Sequence, residues 1–461
     1  MDRFDYIISG SDAAGLAASN LLLNKGKRVA VIEERESPKS ASVFEKDGYQ
    51  FPNGPALFLG LNNGLFPLIF AKAGVTPIQP DNIDADEPIL QIVLPRDRVN
   101  LYGSREYLLE ELNRVFPEKI EAIRLFYSKV DEIAESAMPL FIPLEKDDKG
   151  LERVLRLFRE KTRSVFSVAK YGYEKASRFL YGYGLDIEFK RFIDMQTLLL
   201  SQRTTNEINI LALVEMLTFL KLDAVRMRDG FFGLSEAMAD RFVKNGGNIR
   251  YNAKIAEVTQ RDNILDGVRL VDGSRLEADS LIASLPHFYF YGDRDKDRYV
   301  YIMYLGADED VIPVAMKGDL VMSMNLTKYP LEENFIYVSI VPDNSRQPAG
   351  KAGLKISMFL SKEMLSDPER LPAIREEAMR QIRWLMPFSD SRLYYIGDNS
   401  EDYNRPAILD SFKSFKSLKF AGCYRSSLRN SYLLSDSTLP SAGIGKGLFG
   451  AVRLAERLSK G

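Results

Sequence analysis

The sequence predicts an α/β chain of two domains, one of them split into three pieces, and three observations carry that expectation. The first 34 residues alternate strand, helix and strand. The same glycine-punctuated alternation returns after residue 225, and a long, mainly helical stretch of different character lies between. A chain of 461 residues also exceeds what one simple core organises, so size alone points to two domains.

In the opening unit the pattern predicts a strand from Tyr6 to Ser9, a helix from Ala14 to Lys25, a turn at Gly26 and a strand from Arg28 to Ile32 that ends on Glu33 and Glu34. Gly10 and Gly15, in "GSDAAG", have the outer spacing of G-x-G-x-x-G. Glu33 follows at the distance where an acid takes the ribose hydroxyls of a dinucleotide. This is a Rossmann-like beginning. From about residue 81 to 225 a short strand pair, "ILQIVLP" and "RVNLYG", gives way to helical periodicity. Its most apolar window, Ile208 to Leu222, is too short to span a bilayer and carries Glu215, which predicts a buried helix. "DGFFGLSEAMADRFVKNGGNI" then leads through Gly246 and Gly247 into strands, and "GVRLVDGSRLEADSLIAS" reads as a hairpin and a buried strand. Strands in "RYVYIMYLGA" and "NFIYVSIV", with a helix near Glu369 to Leu385, extend to about residue 400. "SYLLSDSTLPSAGIGKGLFGAVRLAERLSKG" closes the chain as strand, turn and amphipathic helix. The expected division is 1–80, 226–298 and 410–461 for a dinucleotide-binding domain, and 81–225 and 299–409 for an inserted α+β substrate domain.

Composition narrows the chemistry. With 45% hydrophobic and 27% charged residues and a net charge of -2, nothing invites nucleic acid. The lone Cys423 excludes an intrachain disulfide and thiolate-rich metal sites, and the lone His287 excludes most histidine zinc sites, so no metal centre is expected. His287, beside aromatics in "SLPHFYF", reads as structural or as a catalytic acid or base. The N-terminus enters a strand without the basic, apolar and small-residue pattern of a signal peptide, so a cytoplasmic location is expected.

Asp12 occupies the slot of the motif's second glycine. An aspartate there can cap its own helix, because a side-chain oxygen satisfies first-turn N–H groups and the dipole favours negative charge. Those are also the donors a bound pyrophosphate uses. Two like charges about 4 Å apart at an effective dielectric of about 20 repel by roughly 4 kcal/mol, which is about a thousandfold in affinity. Lys39, in the polar loop "EERESPKSAS", reads either as a cation that offsets Asp12 or as a solvated loop residue.

The order of these segments resembles the phytoene desaturase and carotenoid isomerase group of flavoproteins, relatives of the amine oxidases, over nearly the whole chain. The opening fingerprint, "GYQFPNGPALFLG", the central "DGFFGLSEAMADRFVKNGGNI…AKIAEV" and "YLLSDSTLPSAGIGKGLFGA" carry the resemblance. It implies FAD, a two-domain fold and an apolar polyprenoid or carotenoid-like lipid as substrate for an oxidoreductase or isomerase. By position, Gly10, Ser11, Asp12, Ala14 and Gly15 would shape the pyrophosphate turn, Glu33 would hold the ribose, and the backbone of Ile255 would meet the adenine. Asp436 would accept along the ribityl chain, with "FAGC" a rival for that motif, and Gly443 and Ile444 would begin the helix that points at the flavin. Lys39 and Ser40, followed by Ala41, stand where the family has Gly-Gly-Arg, and Ser435 and Ser441 replace glycines of the last motif. A Cβ at such points occupies space the phosphate needs, which weakens FAD binding. No catalytic side chain is assigned, because hydride transfer to a flavin is cofactor chemistry. Lys446, in the first turn of the closing helix, reads as a solvent-facing lysine or as a stabiliser of reduced flavin.

The stretch Leu151 to Gly184 interleaves Arg and Lys with Leu, Phe and Tyr. It fits a helix with a solvated basic face or one that rests on anionic headgroups at the inner face of a membrane. An apolar lipid substrate, no nucleic acid, peripheral membrane contact and room for a partner subunit complete the expectation. The rival function is a flavin-free relative kept as a lipid- or protein-binding module, as the Rab GDP-dissociation inhibitors resemble flavoproteins without using flavin. An NAD-dependent dehydrogenase gives the C-terminal motif no role.

Overall fold

The computed structural model describes residues 2–38, 43–52, 57–59, 70–74, 81–84, 86–141, 168, 170–201, 203–222, 224–226, 230–283, 299–316, 318–330, 334–341, 346–400, 428–434 and 445–459. These residues form two seven-stranded sheets, two small sheets and the helices that cover them.

The first sheet contains β1 (Arg3–Ser9), β2 (Val29–Ile32), β10 (Asn248–Arg250), β11 (Ile255–Arg261), β12 (Ile264–Leu270), β13 (Arg275–Ala283) and β19 (Ser431–Leu433). Its order is β10-β2-β1-β13-β12-β11, with β19 beside β13. Pairing is parallel from β10 through β2 and β1 to β13 and on to β19, and antiparallel where the β11–β12 hairpin joins. Parallel strands are covered on both faces, which is why "VAVI" and the end of β1 are continuous apolar runs, buried throughout. Helix α1 (Ala13–Leu23) lies against one face, and its small side chains let α7 (Gly230–Lys244) and α10 (Gly445–Leu458) pack beside it in one apolar cluster. Asp12 starts α1 one residue earlier than the periodicity suggests. The helix stops at Leu23, because the Lys25 and Gly26 N–H groups turn back to Leu22 and Leu23 carbonyls and Gly26 takes φ +74°.

The second sheet contains β7 (Leu90–Val93), β8 (Arg98–Leu101), β14 (Tyr299–Asp308), β15 (Asp319–Met322), β16 (Ile336–Ile340), β17 (Lys351–Leu360) and β18 (Leu393–Asp398), in the order β18-β14-β17-β16-β15-β7-β8. Side chains alternate between its faces. Leu305, Val338 and Ile356 pack on one side with α8 (Lys362–Ser366) and α9 (Arg370–Leu385). On the other, Val321, Phe335, Tyr337 and Phe359 join a large apolar cluster with α2 (Arg105–Val115), α3 (Ile120–Phe141), α4 (Ala176–Gly182), α5 (Ile187–Ser201) and α6 (Ile210–Leu222). Helix α6 is the buried helix expected from its apolar window, Glu215 included.

Short elements fasten the sheets together. The hairpin of β3 (Val43–Lys46) and β4 (Tyr49–Pro52) belongs to the chain that leaves Glu33, yet its aromatics lie on the second sheet, where Phe44 stacks on Tyr304 at 4.1 Å. Three glycines on neighbouring strands make room for it. A Cβ on Gly306 would sit 2.4 Å from the Tyr49 ring, one on Gly397 2.7 Å from Phe44, and one on Gly353 3.0 Å from Phe51. Gly306→Ala therefore overpacks this joint and costs about 1–3 kcal/mol of stability. Urea unfolding measures the loss, and Tyr49→Leu in the same chain should recover part of it. A second link is a three-stranded sheet in which β9 (Ala224–Arg226) lies between β5 (Leu57–Leu59) and β6 (Asp81–Asn82).

Candidate functional site

β1 has β2 on one side and β13 on the other, so the chain reverses direction of winding at its carboxyl end, which is where open parallel sheets hold ligands. Gly10 leaves β1 with φ +104°, a conformation costly for any side chain, and its N–H bonds the Ile32 carbonyl at 2.9 Å. Asp12 then caps α1: its Oδ1 accepts the Gly15 N–H at 2.8 Å and its carbonyl accepts the Leu16 N–H at 2.9 Å. The N–H groups of Ala13 and Ala14 meet no acceptor among the described residues, although both alanines are buried. A helix start with two such donors is a phosphate-binding arrangement. The third donor of that turn is the one Asp12 occupies.

Glu33, 4% exposed at the end of β2, faces this turn. Its Oε2 accepts from the Ser11 N–H at 2.9 Å and the Ser11 hydroxyl at 2.6 Å, and its Oε1 accepts from the Arg35 N–H at 3.1 Å. A carboxylate offers about four acceptor positions, so three contacts fix it without exhausting it. The Glu33 carbonyl accepts the Ala253 N–H at 2.9 Å, which brings the start of β11, and with it the buried Ile255, alongside the same acid. Gly10, Ser11, Asp12, Ala14, Gly15 and Glu33 thus lie together at the carboxyl end of β1, with Ile255 two residues beyond the Ala253 contact. These residues fit a dinucleotide: a glycine turn, free first-turn donors and a rigid acid, with one donor already taken. Lys39, Ser40, Ala41, His287, Cys423, Ser435, Asp436, Ser441, Gly443 and Ile444 lie outside the described residues, as does the side chain of Lys446. Of the basic stretch from Leu151, residues 151–167 and 169 lie outside them too.

The second sheet holds charged groups that the periodicity did not single out. Lys355 on β17 is buried and its Nζ donates to the Pro52 carbonyl at 2.8 Å. Asp319 on β15, 1% exposed, accepts from the Tyr337 hydroxyl and lies 3.6 Å from Arg226 Nε. Arg226 also donates to Glu87 and to the Pro88 and Ile89 carbonyls, each at 3.0 Å. The signal was present in the sequence as single charges inside strands that are otherwise buried, "LKISMFL" and "DLVM", where Lys and Asp are rare unless partnered. Burial pushes the Lys355 amine down to about 8, while Asp319 acts in the opposite direction. An unfolded lysine titrates near 10.4, so between pH 8 and 10 the unfolded chain binds more protons and stability rises with pH, by up to about 2–3 kcal/mol; below 8 this group adds no slope. Urea unfolding at pH 7, 8, 9 and 10 should show that rise, and Lys355→Met should flatten it. A pocket of about 710 Å³ is lined by polar groups such as Arg98 and Asp97 and shares no residue with the turn at Glu33.

Comparison with known proteins decides the lineage. The family model described as flavin containing amine oxidoreductase matches residues 13–287, more than half of the chain. The chain belongs to that family. Among similar members, a protein named prolycopene isomerase 1, chloroplastic, of an Oncidium hybrid cultivar is 25% identical over 63% of this chain and 50% of its own length. A 4,4'-diapophytoene desaturase (4,4'-diaponeurosporene-forming) of Staphylococcus aureus is 20% identical over 95% of both chains. The chain spans about half the length of the first of these relatives and most of the second. An oxidoreductase from Methanosarcina mazei has the same fold, with a TM-score of 0.64, 13% identity, and coverage of 98% of this chain and 99% of the other. The amine oxidoreductase fold expected from the segment order, a discontinuous Rossmann-like domain with an inserted α+β domain, is the one observed.

Proposed function

We propose that the chain is an FAD-dependent oxidoreductase or isomerase acting on an apolar polyprenoid or carotenoid-like lipid. The observation that carries this reading is the turn at Glu33, where a positive-φ glycine, first-turn N–H groups without an acceptor among the described residues and a buried carboxylate converge. Membership of a flavin-containing family and relatives named for carotenoid desaturation and isomerisation support it. Gly10 to Gly15 would take the pyrophosphate, Glu33 the ribose and Ile255 the adenine side, with Lys39, Ser40, Asp436, Gly443 and Ile444 completing the cofactor contacts. Bound FAD would supply the acceptor for hydrogen removed from the substrate. The chain's own part would be to hold the substrate in water-poor apolar surroundings opposite it. In this reading residues 1–80, 226–298 and 410–461 form the cofactor domain and 81–225 and 299–409 the substrate domain. Incubating the FAD-loaded protein with carotenes dispersed in liposomes tests it. New absorption bands of longer or geometrically altered polyenes are expected, and an unchanged polyene pool across carotene precursors would contradict it.

Contact with a membrane belongs to the same proposal. Among the described residues no helix is long and apolar enough to cross a bilayer. Around α4, however, exposed Lys170, Lys175 and Arg178 alternate with Tyr173, 69% exposed, and Tyr181, 52% exposed, a mixture suited to anionic headgroups. Flotation with liposomes that contain acidic lipid, abolished by salt, is expected. Failure to float at low salt would remove the membrane from the account.

A further inference from the structure

We propose that Asp319, with Arg226 and Lys355 on either side, is a positioning residue: a buried anion whose two cations fix the end of β4 and the start of β5 against the substrate sheet. The relation is visible in the register. Asp319 lies opposite Ser339, Ser339 opposite Lys355, and Lys355 opposite Tyr304, so the four form one row across β15, β16, β17 and β14. Directly opposed residues of antiparallel strands share a face, and this is the face on which Tyr304 stacks with Phe44 of the β3–β4 hairpin. From that row Lys355 reaches the Pro52 carbonyl, the last residue of β4.

Arg226 acts on the other end. It lies opposite Leu57, the first residue of β5, in the small sheet, and its guanidinium spans Glu87, Pro88, Ile89 and Asp319. Pro52 and Leu57 are five residues apart in the chain: Lys355 bonds the first through its side chain, Arg226 pairs with the second through its strand, and Asp319 lies 3.6 Å from Arg226 and in the same row as Lys355. Asp319 itself is fixed by the Tyr337 hydroxyl. A carboxylate that is 1% exposed persists only where opposite charge and hydrogen bonds balance its lost hydration. The buried Ser339 side chain lies between the two charges and beside the Tyr337 hydroxyl that donates to Asp319, so the row is polar from end to end. Because β3 and β4 follow directly from Glu33, the row sets how the cofactor crevice sits relative to the substrate sheet. That consequence, though not the row itself, rests on the function proposed above.

Hydrogen exchange of the full chain, read by mass spectrometry without added flavin, tests the positioning. In Asp319→Asn, exchange of the Tyr49–Phe51 and Ala224–Arg226 amides should rise about tenfold while that of β1 stays unchanged. Lys355→Met should raise exchange at β4 and Lys355→Arg should restore it, which a role in packing alone would not do; this pair decides the matter if Asp319→Asn does not fold. In flavin-loaded protein the same variants should alter the visible circular dichroism of the flavin. Unchanged exchange at both strand ends in Asp319→Asn, or equal effects of Lys355→Met and Lys355→Arg, would overturn the proposal. Wild-type protein that takes no flavin, with the exchange changes still seen in the variants, would sink the cofactor reading and leave the positioning row standing.

Discussion

Asp12→Gly should tighten FAD binding by about two to three orders of magnitude, since a carboxylate beside the pyrophosphate repels it by roughly 4 kcal/mol at an effective dielectric of about 20. The structure fixes the origin of the effect: the Asp12 carboxylate is bonded to the Gly15 N–H, one of the three donors of the first helical turn. Removing it returns that donor and removes the charge together. Asp12→Asn keeps a capping oxygen without the charge and should give most of the gain, which separates repulsion from competition for the donor. Stability should fall by only a few tenths of a kcal/mol in Asp12→Gly, because glycine is itself a tolerated cap. Flavin fluorescence quenching gives the affinity. No change in either variant would mean that the phosphate does not lie at this turn.

Arg226→Met should cost about 3 kcal/mol of folding stability. Methionine keeps most of the volume and the apolar stem but leaves Asp319 with the Tyr337 hydroxyl as its direct partner, and leaves the Pro88 and Ile89 carbonyls without their donor. Burying an anion whose partner has been removed is costly, whereas replacing both members of a pair is often nearly neutral. The double variant Arg226→Met with Asp319→Asn should therefore be more stable than Arg226→Met alone. Chemical unfolding of the three chains measures this, and a loss below about 1 kcal/mol in the single variant would show that water already reaches Asp319.

Much of this architecture is legible in the sequence, and for identifiable reasons. The opening unit can be read because its features have local physical causes: burial on both faces makes β2 and the end of β1 continuous apolar runs, Gly10 answers a positive φ, and Asp12 is a good cap for the helix it begins. The helix ends one or two residues from where periodicity places them, since caps and turns rather than apolar spacing decide them. Glu33 could be named from spacing, but not the fact that Ser11 contributes both its amide and its hydroxyl to hold it. That contact depends on how β2 is offset from β1, which no local signal carries. The same is true of the Asp319 row. Only strand register brings residues 319, 339 and 355 to one face, and Arg226 reaches Asp319 from a separate small sheet. Lone charges in buried strands were the available hint, and the partner of each is set by topology. The glycine sockets at 306, 353 and 397 were silent for a similar reason, because what fills them arrives from residues 44 to 51.

The central claim is that the crevice between Gly10, Gly15 and Glu33 holds a flavin dinucleotide. Titrating FAD into the purified chain, with FMN and NAD as controls, and following flavin fluorescence and the visible spectrum tests it most directly. Saturable quenching with a structured visible band for FAD, absent for FMN and weakened in Glu33→Ala, is the predicted result. A spectrum that stays that of free flavin in both wild-type protein and Asp12→Gly would contradict it.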